Sequence, residues 1–166
     1  FARLMRMVLE NFRYSEVPLK DDLDALRGYL ELERARSNGK FEFTIEVDPA
    51  IDPEEVHVPP LVMQPFVENA IWHGMAGRTD KGHIALKVTK RGADIVMAVE
   101  DDGRGRLAPK VAVPGMPEKK SSLGTAITRA RLDLVSKQKG RPAGFNYIDL
   151  PQGTRVEVVL PVGEAA

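Results

Sequence analysis

The sequence predicts an α/β two-layer sandwich, a mixed and mainly antiparallel sheet with helices on one face. Three observations point there. Apolar residues recur at helical spacing in several stretches and at every second position in others. The strand-like stretches after residue 82 come in pairs joined by short turns. Helices and strands do not alternate one for one, which argues against a wholly parallel sheet.

Leu4, Met7 and Val8 recur at helical spacing and predict a helix over residues 1–12. A second helix opens at Pro18 and Asp21–Asp22, carries Leu19, Leu23, Leu26 and Leu30 on one stripe, and runs through about residue 36. Ser37–Asn38–Gly39 stops it. FEFTIEV at 41–47 alternates as a half-buried strand, and the stretch Pro49 to Pro60 reads as a connection. A third helix over about 61–74 has Val62, Met63, Phe66, Val67, Ala70 and Ile71 as its core face and Gly74 as its stop. Pro65 fits it only in the first turn, which moves the true start one or two residues later. Strands at 83–89 and 93–100 turn around Arg91–Gly92, and residues 106–121, without periodicity, form a long loop of the kind that serves as a lid. A fourth helix spans roughly 122–137 on the stripe Leu123, Ile127, Ala130 and Leu134. A last hairpin, 144–149 and 154–160, turns at Pro151–Gln152–Gly153. No internal repeat is present.

The 166 residues are 43% hydrophobic and 29% charged, enough for one domain with a sizeable core and a small appendage. Lys plus Arg equals Asp plus Glu at 24 each, so the net charge gives no reason to expect nucleic acid or a membrane surface as a partner. The absence of cysteine excludes disulfides and Cys-ligated zinc and agrees with a reducing cytoplasm. No apolar run approaches the ~18 residues that span a bilayer, and no signal peptide is visible. The chain opens on FARLMRMVLE without an initiator methionine and reads as part of something longer.

Two segments carry the chemistry, ENAIWHG at 68–74 and DDGRG at 101–105. Asn69 and His73 lie one turn apart on an otherwise apolar helix. Burying the Asn69 amide unpaired would cost roughly 1–3 kcal/mol, so it either caps a loop or faces solvent, or it is a hard oxygen ligand for Mg²⁺ shared with substrate phosphates. His73 is either a helix-end imidazole favoured by the dipole or a phosphate contact. Glu68 either orients a water or is simply solvated. Asp101, followed by Gly103 and Gly105 after a strand, is either an ordinary Asp–Gly turn or an acceptor for an exocyclic amine, with the glycines letting backbone approach a ligand. Ser121–Ser122–Leu123–Gly124–Thr125 opens the fourth helix, where Ser121 or Ser122 is an N-cap or the backbone N–H groups bind an anion. Lys119 and Lys120 precede it and either reach phosphates or are solvated. Arg129 and Arg131 are expected at the surface, one of them packing on the helix below. Thr154 either serves strand propensity or places its hydroxyl in a base pocket. Neither His57, among prolines, nor His83, at a strand start, sits on a long helix where a phospho-accepting histidine is expected. Together the two segments indicate a nucleotide site, Asn69 facing a phosphate-bound metal and Asp101 facing a base.

PPLVMQPFVENAIWHG (59–74), LKDDLDALRGYLELERAR (19–36), DDGRG and GTRVEVVLP (153–161) together, across nearly the whole chain, resemble the ATP-binding end of sensor histidine kinases of the LytS type, in the gyrase–Hsp90–histidine kinase–MutL superfamily. The resemblance implies a Bergerat-type ATP-binding fold, with residues 1–36 as a helical linker at the end of a dimerisation region and 37–166 as the catalytic domain. It implies that Asn69 coordinates Mg²⁺ bridging the ATP phosphates, that His73 lies near them, and that Asp101 accepts from the adenine amine. Gly103 and Gly105 would shape that wall, residues 106–121 would be the ATP lid, and Thr154 would support the adenine site. Glu68 and Asn69 are the catalytic candidates; Lys120, Ser122, Leu123 and Gly124 complete the nucleotide-binding set. The chemistry implied is phosphoryl transfer from ATP to a histidine and then to an aspartate of a response regulator. The full-length protein would be a homodimeric, membrane-anchored sensor with this domain in the cytoplasm.

Two departures stand out. The family's second glycine box, Gly-x-Gly-Leu, is Ser122–Leu123–Gly124–Thr125 here, placing a Cβ where backbone should meet phosphate. The segment resembling Pro-His-Phe-Leu-Phe-Asn that bears the accepting histidine is absent from these residues, so the chain is expected to bind ATP without autophosphorylating. The alternatives are a nucleotide-binding regulatory module without transfer activity, which Ser122 motivates, and an ATPase clamp, which the linker helix disfavours.

Overall fold

The computed structural model describes residues 16–75, 77–105 and 118–162. The helix expected at 1–12 and most of the expected lid lie outside them. Strand β1 (Val17–Pro18) leads directly into helix α1 (Leu19–Arg36), whose bounds match the expectation. Two N–H groups at the start of α1, which a helix leaves unpaired, donate to the following connection: Leu19 to the Val56 carbonyl at 2.7 Å and Lys20 to that of Pro53 at 2.8 Å. That connection is not featureless. It contains strand β3 (His57–Val58), which pairs antiparallel with β1, Val17 opposite Val58. A two-residue bridge has no periodicity for a sequence to display.

The main sheet has the order β2–β4–β5–β7–β6, with β2 (Phe41–Val47), β4 (Gly82–Arg91), β5 (Asp94–Asp101), β6 (Gly144–Asp149) and β7 (Thr154–Pro161). β2 runs parallel to β4 and every other pair is antiparallel, the expected mixed sheet. One face buries Ile84, Leu86, Val88, Ile95, Met97, Val99, Val156, Val158 and Leu160 in a single cluster with the Leu19, Leu23, Leu26 and Leu30 stripe of α1. Each such side chain contributes about 1.5–3 kcal/mol when fully buried. The other face carries a charged ladder in which Glu100 meets Lys87 and Arg155, and Arg155 meets Glu157. Side chains alternate between the faces over the pleat, and Val96 and Ala98 of β5 are buried on the same side as Glu100.

Helix α2 (Gln64–Gly74) begins later than the apolar pattern indicated, because Leu61 adopts a left-handed φ of 59° and Val62 and Met63 reach the core from a turn. Pro65 occupies the first turn, as its chemistry requires. Gly74 is the last helical residue, but the cap is Met75 in a right-handed conformation. The glycine therefore answers a need other than a left-handed stop.

Helix α3 (Glu118–Lys139) begins four residues before the expected start, so Lys120, Ser121, Ser122 and Leu123 are helical and the connection is shorter than 106–121. The buried positions of α3 include Thr128, Arg131 and Leu132, rotated from the predicted stripe, whose Ile127, Ala130 and Leu134 are half-buried. Arg131 is 8% exposed and is not a surface residue. Arg129 is exposed, its guanidinium 4.5 Å from the centre of the Phe145 ring, the partial burial expected of a long cationic side chain.

Candidate functional site

Helix α2 carries Glu68 and Asn69 half-buried near its middle and His73 exposed in its last turn. The Asn69 amide has no side-chain hydrogen-bond partner among the described residues, and neither has His73. Glu68 accepts a bond from Gln64 Nε2 at 3.3 Å. Tyr29 of α1 lies close enough to Glu68 to feel its charge: burial first, then Glu68 and Glu33, raise the phenol well above its ordinary value.

The C-terminal end of α2 abuts the end of β5. A Cβ on Gly74 would come within 2.9 Å of Asp101 Cγ, and one on Gly103 within 2.4 Å of the Gly74 carbonyl oxygen. Gly103 thus makes room for another backbone, where the sequence pointed to a ligand. Gly153 is bound in the same way: with φ of 89°, a Cβ there would stand 1.8 Å from the Asp101 carbonyl oxygen. Gly105, at φ 85°, takes the left-handed conformation that glycine adopts freely. Three chain segments meet at this corner, with the Asp101 side chain packed against Gly74.

Asp101 ends β5, directly opposite Thr154. Its carboxylate accepts from the Gly103 N–H at 2.9 Å, and the backbone of Thr154, 9% exposed, lies near enough to favour its charged form. Burial pushes the Asp101 carboxyl above the ordinary carboxylate range, and the adjacent Asp102 charge adds to this, against these two backbone groups. Asp102 goes the other way. Burial alone would raise it, but bonds from the His83 N–H at 2.9 Å, the His83 ring at 3.1 Å and Arg78 at 2.6 Å hold it low. Arg78 also donates to the Asp102 carbonyl at 2.8 Å and bridges to Asp80 at 2.8 Å. The arrangement presents one carboxylate fixed by backbone and poised towards neutrality, beside a second held ionised by a guanidinium. Sequence reading missed Arg78, Asp102 and His83 because their partners are 19 to 24 positions away and no local pattern connects them.

At the other end of α2, Gly124 of α3 packs on Pro65, whose Cβ lies 3.4 Å from where a glycine Cβ would stand. The first turn of α3, whose N–H groups are unpaired in any α-helix, is Glu118–Ser121. An anion at the helix start would meet that turn, and the N–H of Ser122 is already inside the helix. The structure thus brings Asp101, Gly103, Gly105 and Thr154 together at the C-terminal end of α2, whose last turn carries His73 and whose middle carries Asn69, and Gly124 to the opposite end of the same helix. The side chains of Lys120, Ser122 and Leu123 fall outside the described residues.

The donor set fits a magnesium-bound nucleotide. An amide oxygen with no partner among the described residues is a suitable hard ligand, and a carboxylate fixed by the Gly103 N–H retains lone pairs for an exocyclic amine. Among the described residues no group of three or more His, Asp or Glu side chains is arranged to hold a metal ion.

No family model matches the chain. Curated relatives do. It is 29% identical over 160 residues to the sensor protein LytS of Bacillus subtilis, covering 95% of this chain and 26% of that protein. Against the sensor histidine kinase/phosphatase LytS of Staphylococcus aureus it is 32% identical over 158 residues, covering 94% of this chain and 27% of the relative. The chain is a homologue of LytS-type sensor histidine kinases. It spans about a quarter of the length of those relatives. Among solved structures, the catalytic domain of the histidine kinase ThkA superposes with a TM-score of 0.61 at 17% identity, covering 91% of this chain and 98% of that one. The mixed sheet under helices is therefore the histidine kinase catalytic-domain fold. Among the described residues no helix is long and apolar enough to cross a membrane.

Proposed function

We propose that this chain is the ATP-binding catalytic domain of a LytS-type sensor histidine kinase, delivering the γ-phosphoryl group of ATP to a histidine in another region of the longer protein. The supporting observation is the junction where Gly74, at the end of the helix that carries Asn69 in its middle, abuts Asp101 beside Gly103 and Gly153. Residues 37–166 form the catalytic unit in this reading, and residues 1–36 connect it to a dimerisation region in a homodimer. A response regulator is the onward acceptor. None of the three histidines suits the acceptor role: His57 is in a two-residue strand, His73 ends α2, and His83 is bonded to Asp102.

In this reading Asp101 accepts from the adenine amine while Gly103 and Gly105 form the wall beside it and Thr154 supports it. Asn69 offers its amide oxygen to Mg²⁺, and His73 lies by the phosphates. Glu68 orients the transferring end of the site. Lys120, Ser122, Leu123 and Gly124 form the phosphate side together with the connection over 106–117. Bound magnesium supplies charge neutralisation of the phosphates. The protein's task is positioning, on which phosphoryl transfer mostly depends.

Calorimetry with a non-hydrolysable ATP analogue tests the proposal. Magnesium-dependent binding of roughly −5 to −8 kcal/mol is expected, with magnesium dependence lost in Asn69→Ala and most affinity lost in Asp101→Ala. Folded protein that binds no nucleotide at millimolar concentration overturns the reading and leaves a scaffold whose site Ser122 has disabled. Transfer of label to a fragment bearing the accepting histidine separates the kinase from a binding module.

A further inference from the structure

Arg78 lies four residues past the end of α2, and its own N–H turns back to the Met75 carbonyl at 3.4 Å. Its side chain is 11% exposed and crosses to the segment that follows Asp101. Nε and Nη2 fork onto Asp80 at 3.2 and 2.8 Å, which fixes the direction of Nη1. Nη1 donates twice to Asp102, to its carboxylate at 2.6 Å and to its backbone carbonyl at 2.8 Å. Gln152, in the turn between β6 and β7, donates to the same carbonyl at 3.0 Å.

The carbonyl is the informative contact. The Asp102 carbonyl and the Gly103 N–H belong to one planar trans peptide group and point in opposite directions. That N–H is the donor that fixes the Asp101 carboxylate at 2.9 Å. One end of the peptide group is therefore held by a guanidinium, and the other end holds the side chain read as the acceptor for an adenine amine. A cation at the carbonyl also polarises the amide and makes its N–H a stronger donor. The close contacts of Gly103 with Gly74, and of Gly153 with the Asp101 carbonyl, set where the chain runs. They do not set how the Asp102–Gly103 peptide plane is turned, and a glycine at 103 restrains that rotation least of all residues.

We propose that Arg78 is a positioning residue for nucleobase recognition: it holds the Asp102–Gly103 peptide group so that the Gly103 N–H aims the Asp101 carboxylate at the exocyclic amine of an adenine nucleotide. The guanidinium is carried by the segment that leaves the Asn69 helix, so it ties the two sides of the site together. The link to the base rests on the ATP-site reading above; the hold on the peptide group does not.

The experiment follows the Gly103 amide by NMR hydrogen exchange and measures affinities for non-hydrolysable ATP and GTP analogues in parallel, in the parent, Arg78→Met and Arg78→Lys. Thermal unfolding checks that each is folded. Lys81→Met controls for the loss of a neighbouring positive charge, since that ammonium pairs with Glu42 at 3.0 Å. Expected in Arg78→Met is Gly103 exchange at least about tenfold faster. The preference for the ATP analogue over the GTP analogue should shrink at least about fivefold, part of the worth of one hydrogen bond to a charged group. Arg78→Lys keeps a cation for the carbonyl but not the fork, and should fall between Arg78→Met and the parent, while Lys81→Met should match the parent. General loosening of the domain would lower both affinities and leave their ratio unchanged. Unchanged Gly103 exchange in Arg78→Met overturns the proposal; should that variant not fold, unchanged exchange in Arg78→Lys does the same. Faster exchange with an unchanged ratio overturns the link to the base. A parent that binds neither analogue, or both equally, refutes the ATP-site reading and with it that link, while the exchange data still decide the hold on the peptide group.

Discussion

The two ends of helix α2 are held by opposite means. At the C-terminal end, Gly103 and Gly153 let backbone pack on backbone and Gly74 makes room for the Asp101 side chain, leaving no space for another. At the N-terminal end, one carboxylate and one guanidinium reach in from α1 and α3 to grip two successive peptide groups. The first is a contact of fixed shape, rigid because peptide groups do not yield. The second depends on charges carried by helices that belong to other parts of the domain. A site placed between them has one wall that cannot move and another that responds to its neighbours.

The rigid end should break most severely. Gly103→Val puts a Cβ at 2.4 Å from the Gly74 carbonyl oxygen, a backbone atom with nowhere to go. A loss above about 3 kcal/mol is expected, read by urea denaturation, since overpacking costs 1–3 kcal/mol even where side chains yield. A loss below about 1 kcal/mol would show the corner to be compliant.

Next comes the charged end. Asp22→Ala leaves the Leu61 N–H without its acceptor, an expected cost of about 1–3 kcal/mol. The same denaturation experiment on Asp22→Asn, which keeps a side-chain oxygen for that N–H, should give a smaller cost. If the two cost the same, the Leu61 bond does not hold the turn and the contrast between the two ends weakens.

Asp101 separates stability from function at the rigid end. Burial raises its carboxyl, so the fold favours the neutral form. Its stabilising contribution is therefore present below the unfolded pKa and is lost as pH rises through the raised folded value. Asp101→Asn, neutral at every pH, should keep or slightly raise the melting temperature at pH 7 while lowering ATP-analogue affinity at least tenfold, about 1.4 kcal/mol. In the parent, affinity should decline on acidification from a pH above the ordinary carboxylate range, and Asp101→Asn should lack that limb. Parallel pH profiles in the two proteins would remove Asp101 from the binding chemistry.

The smallest effect is at Leu61, 43% exposed at φ 59°. Asn tolerates that conformation better, so Leu61→Asn should alter stability by no more than about 0.5 kcal/mol in the favourable direction, part of the relief being offset by lost apolar contact. A loss beyond 1 kcal/mol by thermal denaturation would mean that its packing, and not Asp22, sets the turn.

Much of this architecture was legible because it is local. The bounds of α1 and β2 follow from the leucine stripe and from FEFTIEV, and the final hairpin from its turn residues. Pro65 in the first turn follows from its missing N–H. What misled was equally local. The lysines and serines at 119–122 looked like loop and cap, yet α3 begins at Glu118, because a polar run carries no apolar period to mark a helix. Val62 and Met63 extended the apolar pattern backwards from α2 although they reach the core from a turn. Asp22, read as a helix-opening acid, and Arg131, read as surface, are buried because each has a partner more than 35 positions away.

Periodicity and motif spacing, properties of a single stretch of chain, were enough for the long helices, the main strands, the mixed sheet and the residues offered as nucleotide contacts, Asn69 and Asp101 above all. Only the tertiary structure decided why the glycines are where they are and which charges are buried. Gly74 meets Asp101, Gly103 meets Gly74, Gly153 meets Asp101, and Asp22 and Arg131 meet at one turn. The physical reason is common to all of them. Steric exclusion and desolvation act at a few ångströms in space, so a residue's need for no side chain, or for a counter-charge, is set by whichever segment the fold lays against it.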